Sequence, residues 1–412
     1  MNVQALRADA RLATLFGIVL VDLLGFGMLI PLTPFYVKRL GASPEMITFI
    51  VALYSLAQFF AGPWIGRLSD TYGRRPVLVV SLGGHVVSYV MLAFADSIFM
   101  MGLSRVIGGI AAANMATAFA YVTDITPPQE RAKNIGIVSS AIGIGFIFGP
   151  SLGGFLAGSA VSIEANLMRP ALAAASFSAL AMLAAFLFLP ESLPKEKRHA
   201  DGAGRPPFWR AIVEVTQLPS LRLMFFLSLI GTVAIGMRDA ILPLFAADAL
   251  ALTMIELGVL ITYAGIVSTL MQAFGIGRLT ARFGEARLVR AGIILLGVAF
   301  VILSVAPHWS FIALAMTFGA CGMPLFNTCL QSLVSRQASP QERGIVMGTY
   351  QSMGSLGRFV GPVAAGVMYG QIAINAAFVG GAVMAAIAAA MAFKVAQPKE
   401  AGPATPARAA GH

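Results

Sequence analysis

The chain has 412 residues, 58% of them hydrophobic and 11% charged, with a net charge of +10. So little charge excludes a soluble globular fold, because polar groups would be too scarce to cover the apolar mass. It also moves the meaning of the basic excess from nucleic acid to the sidedness of a membrane protein.

A membrane span needs about 20 apolar residues. Runs of that kind are predicted at Leu12–Tyr36, Met46–Leu68, Pro76–Ala95, Ser97–Thr123, Ile135–Ala157, Pro170–Leu189, Leu223–Ala247, Ile255–Leu279, Leu288–Ala306, Trp309–Val334, Gly344–Tyr369 and Ile372–Lys394. The fold expected is an all-α membrane protein of twelve spans in two pseudo-symmetric six-helix bundles. The first run is too long for a signal-peptide core and reads as a retained span. Between the second and third spans lies the charged stretch Gly66–Pro76, read as a short turn. The one long polar segment is Pro190–Arg222, with Lys195, Lys197, Arg198, Arg205, Arg210 and Pro206-Pro207. It divides the chain into an N-terminal half (1–190), a cytoplasmic linker (191–222), a C-terminal half (223–394) and a disordered cytoplasmic tail (395–412). With both termini inside, the inner segments collect nearly all the arginine and lysine, and the outer ones carry only Lys38, Arg39 and Arg169. That asymmetry places both termini in the cytoplasm and assigns the charge to the inner leaflet. Cys321 and Cys329, the only cysteines, lie about 12 Å apart on one helix, too far for a disulfide and without metal-site spacing.

The halves repeat. Gly66-Arg67-Leu68 and Gly73 recur as Gly277-Arg278-Leu279 and Gly284; Pro128-Gln129-Glu130-Arg131 as Pro340-Gln341-Glu342-Arg343; Gly149-Pro150 as Gly361-Pro362; and Pro31 as Pro243, all at offsets of 211 or 212. A tandem pair of six-helix halves points to a transporter whose site lies between them. No Walker-type loop, zinc spacing or nucleophile elbow is present, which removes support from ATP-driven transport and from a membrane enzyme.

These residues resemble the major facilitator superfamily over nearly the whole chain. Gly66, Asp70, Gly73, Arg74 and Arg75 resemble its signature between spans 2 and 3. Arg105 with Gly109-Ile110-Ala111-Ala112-Ala113 resembles its span 4 signature. Gly145, Gly149, Pro150, Gly153 and Gly154 resemble the antiporter signature of its drug/proton antiporters. Asp22-Leu23-Leu24-Gly25-Phe26-Gly27 through Pro31, with Gly73–Leu92, is most similar to the tetracycline-efflux group. Gly108 stands where a glutamine is usual, Ser88 stands where that group has an intramembrane acid, and the run Leu288–Ala306 has no acid. The resemblance therefore implies proton-driven efflux in general rather than of tetracycline.

Charges within the bilayer are costly and are functional hypotheses by default. Asp22 and Arg105 fall at similar depth, so Asp22 is expected to carry the coupling proton with Arg105 tuning it. Asp239 is expected to pair with Arg358, leaving Arg238 facing the cavity, where it would favour an anionic or zwitterionic substrate. Met316, Met323, Asn327 and Gln331 share one face of span 10, and Asp22, Phe26, Leu29 and Thr33 one face of span 1. The resemblance implies that these faces line the central cavity, in keeping with adaptable binding of amphipathic molecules. His85 reads as a packed or hydrogen-bonded histidine rather than a proton carrier. The glycine stripe of span 5 reads as a tight seam between the halves, with Pro150 allowing a bend. The charged turn reads as a cytoplasmic latch. Asp70 would reach the positive end of span 11 near Gly344, and Arg74 or Arg75 would reach Asp124. Both contacts would hold the outward-open state and break when the cytoplasmic side opens. The repeat turn has Ala281 for Asp70 and Glu285 for Arg74, so the latch would be one-sided.

The expected function is a proton-coupled secondary transporter, exporting a drug or a metabolite such as a siderophore across a bacterial inner membrane. It would act as a monomer, with no cofactor and with lipid, protons and a small molecule as partners, and no nucleic acid. The alternatives are a proton symporter for uptake and a transport-inactive scaffold or sensor.

Overall fold

The computed structural model describes residues 3–127, 130–158, 166–194, 196, 198, 219–337 and 343–395. Most of the linker, the tail beyond 395, Pro128-Gln129 and Pro340-Gln341-Glu342 lie outside the described residues. Every regular element described is helical.

The first half comprises α1 (Val3–Leu29, continued by Thr33–Arg39), α2 (Pro44–Tyr72), α3 (Arg74–Ala93), α4 (Ile98–Ala112, continued by Met115–Ile125), α5 (Arg131–Ala157) and α6 (Met168–Phe188). The second comprises α7 (Pro219–Leu250), α8 (Met254–Leu270, running through a π-turn at Met271–Gly275 into Ile276–Phe283), α9 (Glu285–Ser304), α10 (Trp309–Gln337), α11 (Arg343–Gln371) and α12 (Ala376–Ala392). Ten of these segments are long and apolar enough to cross a membrane. The other two are α12, which is apolar but has only 17 residues, and α11, which is long but carries Thr349, Gln351, Ser352, Ser355 and Arg358. Side chains such as Trp64, Phe99 and Phe155 stand exposed on the outer faces, as a lipid solvent allows.

Helix ends follow local chemistry. Ser43, Ser97 and Thr253 cap α2, α4 and α8 through their side-chain oxygens, and Thr253 with Glu256 forms a capping box. Pro31 ends the first segment of α1, whereas its repeat partner Pro243 lies inside an unbroken α7. The charged stretch is not an eleven-residue turn. Helix α2 continues through Gly66 to Tyr72, and the reversal is made by Gly73 alone, at φ +105°. Gly284 does the same in the second half at φ +77°. Both need a residue without a Cβ.

The bundle therefore has a turn end, carrying Gly73 and Gly284, and a far end, where α1, α5, α7 and α11 finish. The halves meet at the far end. Lys38 pairs with Asp248, which also accepts from Tyr369, and Gln371 donates to Glu45 at 2.6 Å. Gly366 and Gly370 of α11 lie against Thr48 and Glu45 of α2, and Gly154 of α5 lies against Met254 of α8. At the turn end the halves part. A Cβ added at Gly62, Gly66, Gly136, Gly143, Gly277 or Gly348 would meet nothing within 4 Å. The apolar core divides accordingly: one cluster around Leu15, Leu82 and Tyr121 belongs to the first half alone, while the other runs across the far end into the second.

Candidate transport site

Asp22 lies in the middle of α1 and is 4% exposed. Ser178 of α6 donates to its Oδ1 at 2.6 Å, and Nδ1 of His85 on α3 lies 3.0 Å from both carboxylate oxygens. A buried carboxylate is tolerable only with such donors. The expected partner, Arg105, is not among these contacts; it lies over the Tyr54 ring, which stacks on Phe26 of α1. His85 is thus more than a packed residue: it completes a buried acid–imidazole pair. Its Nε2 has no partner, and its ring stacks on Tyr89 at 5.7 Å. Beside the pair is a small cavity, lined by Ile18, Val19, Asp22, Leu82, Asn114 and Met115, with room for about one water. It lies on the turn-end side of Asp22.

Arg105 is also buried, at 4% exposure. Its Nε and one terminal nitrogen have no hydrogen-bond partner. Its guanidinium sits 5.8 Å from the ring centre of Tyr54, a cation–π distance, and its ionisable neighbours are Tyr36, Tyr54 and Tyr89. Tyr54 stacks on Phe26 at 5.1 Å, and Phe26 meets Phe146 edge-on at 6.0 Å. This aromatic wall joins α1, α2 and α5. Arg358 of α11 is exposed.

The pairing expected for α7 differs. Arg238 donates to Asp239 through Nε at 2.9 Å and Nη2 at 2.8 Å. Adjacent helical residues diverge, but a guanidinium is long enough to fold back. Arg238 is thereby neutralised and packed towards Gly319 of α10 rather than free in a cavity. Arg358 has Ser355 as its hydrogen-bond partner at 2.9 Å, not Asp239. Thr33 is buried and bonds back to the carbonyl of Leu29 at 2.7 Å, so it does not line the cavity. Asn327 and Met323 are half-buried, Gln331 is exposed, and Met316 is buried.

The antiporter-like glycines have two jobs. Gly145, Gly149 and Gly153 press α5 against Leu23, Gly27 and Met28 of α1 within the first half. Gly154 and Pro150 meet α8 across the halves, beside the Ser151–Thr262 hydrogen bond of 2.5 Å. The seam between halves is thus only part of the stripe.

At the turn end, Arg74 bonds Asp124 at 3.2 Å, Asp70 at 2.6 Å and Ser69 at 2.7 Å. Arg75 instead reaches α6, bonding the carbonyl of Phe186. The Arg74–Asp124 bond exists while this end is open, so it does not break on opening; both residues belong to the first half. Sequence reading missed Glu191, whose carboxylate accepts the backbone N–H groups of Arg74 and Arg75 and pairs with Arg198. It neutralises the positive start of α3. In the repeat, Glu285 accepts from Ser332 at 2.6 Å and pairs with Arg336 at 3.4 Å, a contact of inverted sign.

Comparison with known proteins follows the same outline. The family model of the Major Facilitator Superfamily matches residues 15–275 and again 224–411. The chain is 31% identical over 373 residues to the class C tetracycline resistance protein of Escherichia coli, covering 88% of this chain and 91% of that one. It is 27% identical over 354 residues to multidrug resistance protein 2 of Bacillus subtilis, covering 85% and 86%. Among solved structures, the human organic anion transporter MFSD10 is 25% identical with a TM-score of 0.69, over 93% of this chain and 99% of that one. An inward-facing bacterial homolog of the human lysosomal transporter Spinster has a TM-score of 0.74 at 16% identity, over 94% and 96%, a likeness of fold alone.

Proposed function

The chain belongs to the major facilitator superfamily, and from that premise we propose that it is a proton-coupled exporter of a small organic molecule. The substrate is a drug or a metabolite such as a siderophore, moved by alternating access across a bacterial inner membrane. The observation that carries the proton coupling is the buried Asp22–His85–Ser178 cluster. Asp22 and His85 are two ionisable side chains in direct contact within a membrane-spanning part of the chain. Membrane-embedded ionisable groups are retained at a cost that structure alone seldom justifies. A small cavity with room for about one water lies beside Asp22 on its turn-end side.

The sidedness follows from charge. Arg67, Arg131, Arg278, Arg282 and Arg336 cluster at the turn end, against Lys38, Arg39 and Arg169 at the far end, so the turn end is cytoplasmic. The parted turn end then makes this the inward-open state, ready to take substrate from the cytoplasm. Relatives named for tetracycline and multidrug resistance support the export direction.

The test uses everted membrane vesicles from cells with and without the protein, acid inside, with fluorescein and ethidium as probes. Export predicts that one or both accumulate inside and that nigericin, which collapses the pH gradient, stops it. Accumulation indifferent to nigericin would contradict proton coupling.

A further inference from the structure

Helix α4 is interrupted where its sequence gives no local reason for it. The interruption falls at Ala113 and Asn114, with neither proline nor glycine from Ile110 to Ala116. The amides of Ala113 and Asn114 bond back to Ile110 at 3.2 Å and Ala111 at 3.1 Å, a tightened turn, and Ala118 then bonds to Asn114 at 3.0 Å as the α-helix resumes. Gln58 of α2 donates to the carbonyl of Ala112 at 3.3 Å, so a neighbouring helix supports the turn. Mid-helix turns of this tightened kind commonly mark a functional position.

Asn114 is 5% exposed. Its side chain does not cap the segment that follows and bonds to no other described residue, which is costly for a buried amide. It lines the same small cavity as Asp22. The other lining side chains, among them Ile18, Val19 and Leu82, are apolar, so Asp22 and Asn114 are the two polar groups on its wall. Among the described residues, Asp22 Oδ1 has Ser178 and His85 as partners, whereas Oδ2 has His85 alone. A carboxylate oxygen has a second lone pair to offer.

We propose that Asn114 is a positioning residue for proton coupling, and that it holds a water in this cavity against the carboxyl group of Asp22. This deepens the reading of Asp22 as the proton carrier and rests on it. The cavity has room for about one water, and a buried water needs about two to four polar partners. An amide suits a neighbour whose proton comes and goes. The water donates to Asp22 as a carboxylate and accepts from it as an acid, and the amide completes the water in either case, through its oxygen or its NH2 group. Being neutral, it does not compete for the proton. The site lies between α1, α3 and α4, inside the first half. Around Asp22, α3 brings His85 with Tyr89 stacked on it, and α6 brings Ser178. Helix α5 meets α1 there through Gly145, and Arg105 of α4 lies over Tyr54 instead.

The test is infrared difference spectroscopy of the purified full chain between acid and alkaline pH, with the Asp22 carboxyl band assigned by its loss in Asp22→Asn. A carboxyl C=O that loses a hydrogen bond absorbs at higher frequency. Asn114→Leu removes the amide and keeps its bulk. Ala118→Val narrows the cavity without touching a polar group. Both are expected to raise the band, and Asn114→Ser, which keeps a donor and an acceptor, to recover most of the wild-type position. In everted vesicles energised acid inside, accumulation of the probe that the wild type moves, ethidium or fluorescein, is expected to fall about tenfold in Asn114→Leu. Exchange of labelled for unlabelled probe is expected to persist, a split that general loss of structure does not give. If one of the two variants does not fold, the other decides. An unmoved Asp22 band in either folded variant overturns the proposal. A raised band in a protein that drives no probe keeps the water site and removes the exporter. Proton-driven transport with an unmoved band keeps the exporter and removes the water site.

Discussion

Replacing Gly149 by alanine tests how closely α5 is held against α1. A Cβ there would lie 2.7 Å from the Cα and carbonyl carbon of Gly27 and 2.9 Å from the amide nitrogen of Met28. These are backbone atoms, so no side-chain rotation relieves the clash. Contact becomes ordinary near 3.4 Å, so the helices must separate by about 0.7 Å at that point. Overpacking of that kind costs about 1–3 kcal/mol. Gly143→Ala, on the same helix, is the control, because its Cβ would meet nothing within 4 Å. Both substitutions share the gain in helix propensity, about 1 kcal/mol, so the difference between them isolates the packing. The assay is survival of the monodisperse protein in detergent after heating, with Gly145→Ala added because its Cβ would meet Leu23 at 2.8 Å. Gly149→Ala and Gly145→Ala should both fall below Gly143→Ala. Equal survival of all of them would refute the account of the stripe as a close helix–helix contact.

At the turn end, Gly73→Ala forces a Cβ onto a φ of +105° and against the Glu191 carboxylate, and should cost about 1–3 kcal/mol of stability in the same heating assay. Glu191→Gln, which weakens the cap on α3, should cost about 1 kcal/mol; no change would mean that the cap is unimportant. At the far end, Lys38→Met and Asp248→Asn each break the pair that joins the halves. Each should raise labelling of a Thr48→Cys reporter by a membrane-impermeant maleimide from the far side, and the double substitution should add little. Unchanged labelling would show that the pair does not hold that end closed. Arg238→Gln should leave expression intact and fluorescein binding within about threefold, because Arg238 is neutralised by Asp239; a loss of tenfold or more would place it in the substrate site.

How much of this was written in the chain depends on the range of the interaction. Spans follow from runs of apolar residues, and most observed helix ends lie within a few residues of expectation; the first helix starts earlier, at Val3, and the first and fourth spans are each interrupted, after Leu29 and after Ala112. The repeat offsets are also sequence-local, and they pair Gly73 with Gly284, which prove to be the two reversals, although the turn expected there spans Gly66–Pro76. The family resemblance and the expected fold agree with the matched family model. Helix rise converts residue number to an expected height for Asp22 and Arg105. It does not give rotation about the helix axis, so which neighbour each one meets could not be read. Asp22 meets His85 and Ser178, 63 and 156 residues away, and their choice depends on how α1, α3 and α6 pack. Arg238 shows a different failure: an i,i+1 pair was discounted from helix geometry although a long side chain can bend back to reach Asp239. Glu191 carried no signal at all, because its partners are backbone N–H groups exposed only by the reversal at Gly73.

The central claim is that protons taken up at Asp22 drive export, and its most direct test is proton flux in everted vesicles energised acid inside. A pH-sensitive dye reads the gradient while a transported probe is added outside. The account predicts that the probe discharges the gradient with the wild-type protein and not with Asp22→Asn, while that variant still exchanges labelled for unlabelled probe. Equal discharge by Asp22→Asn would contradict it.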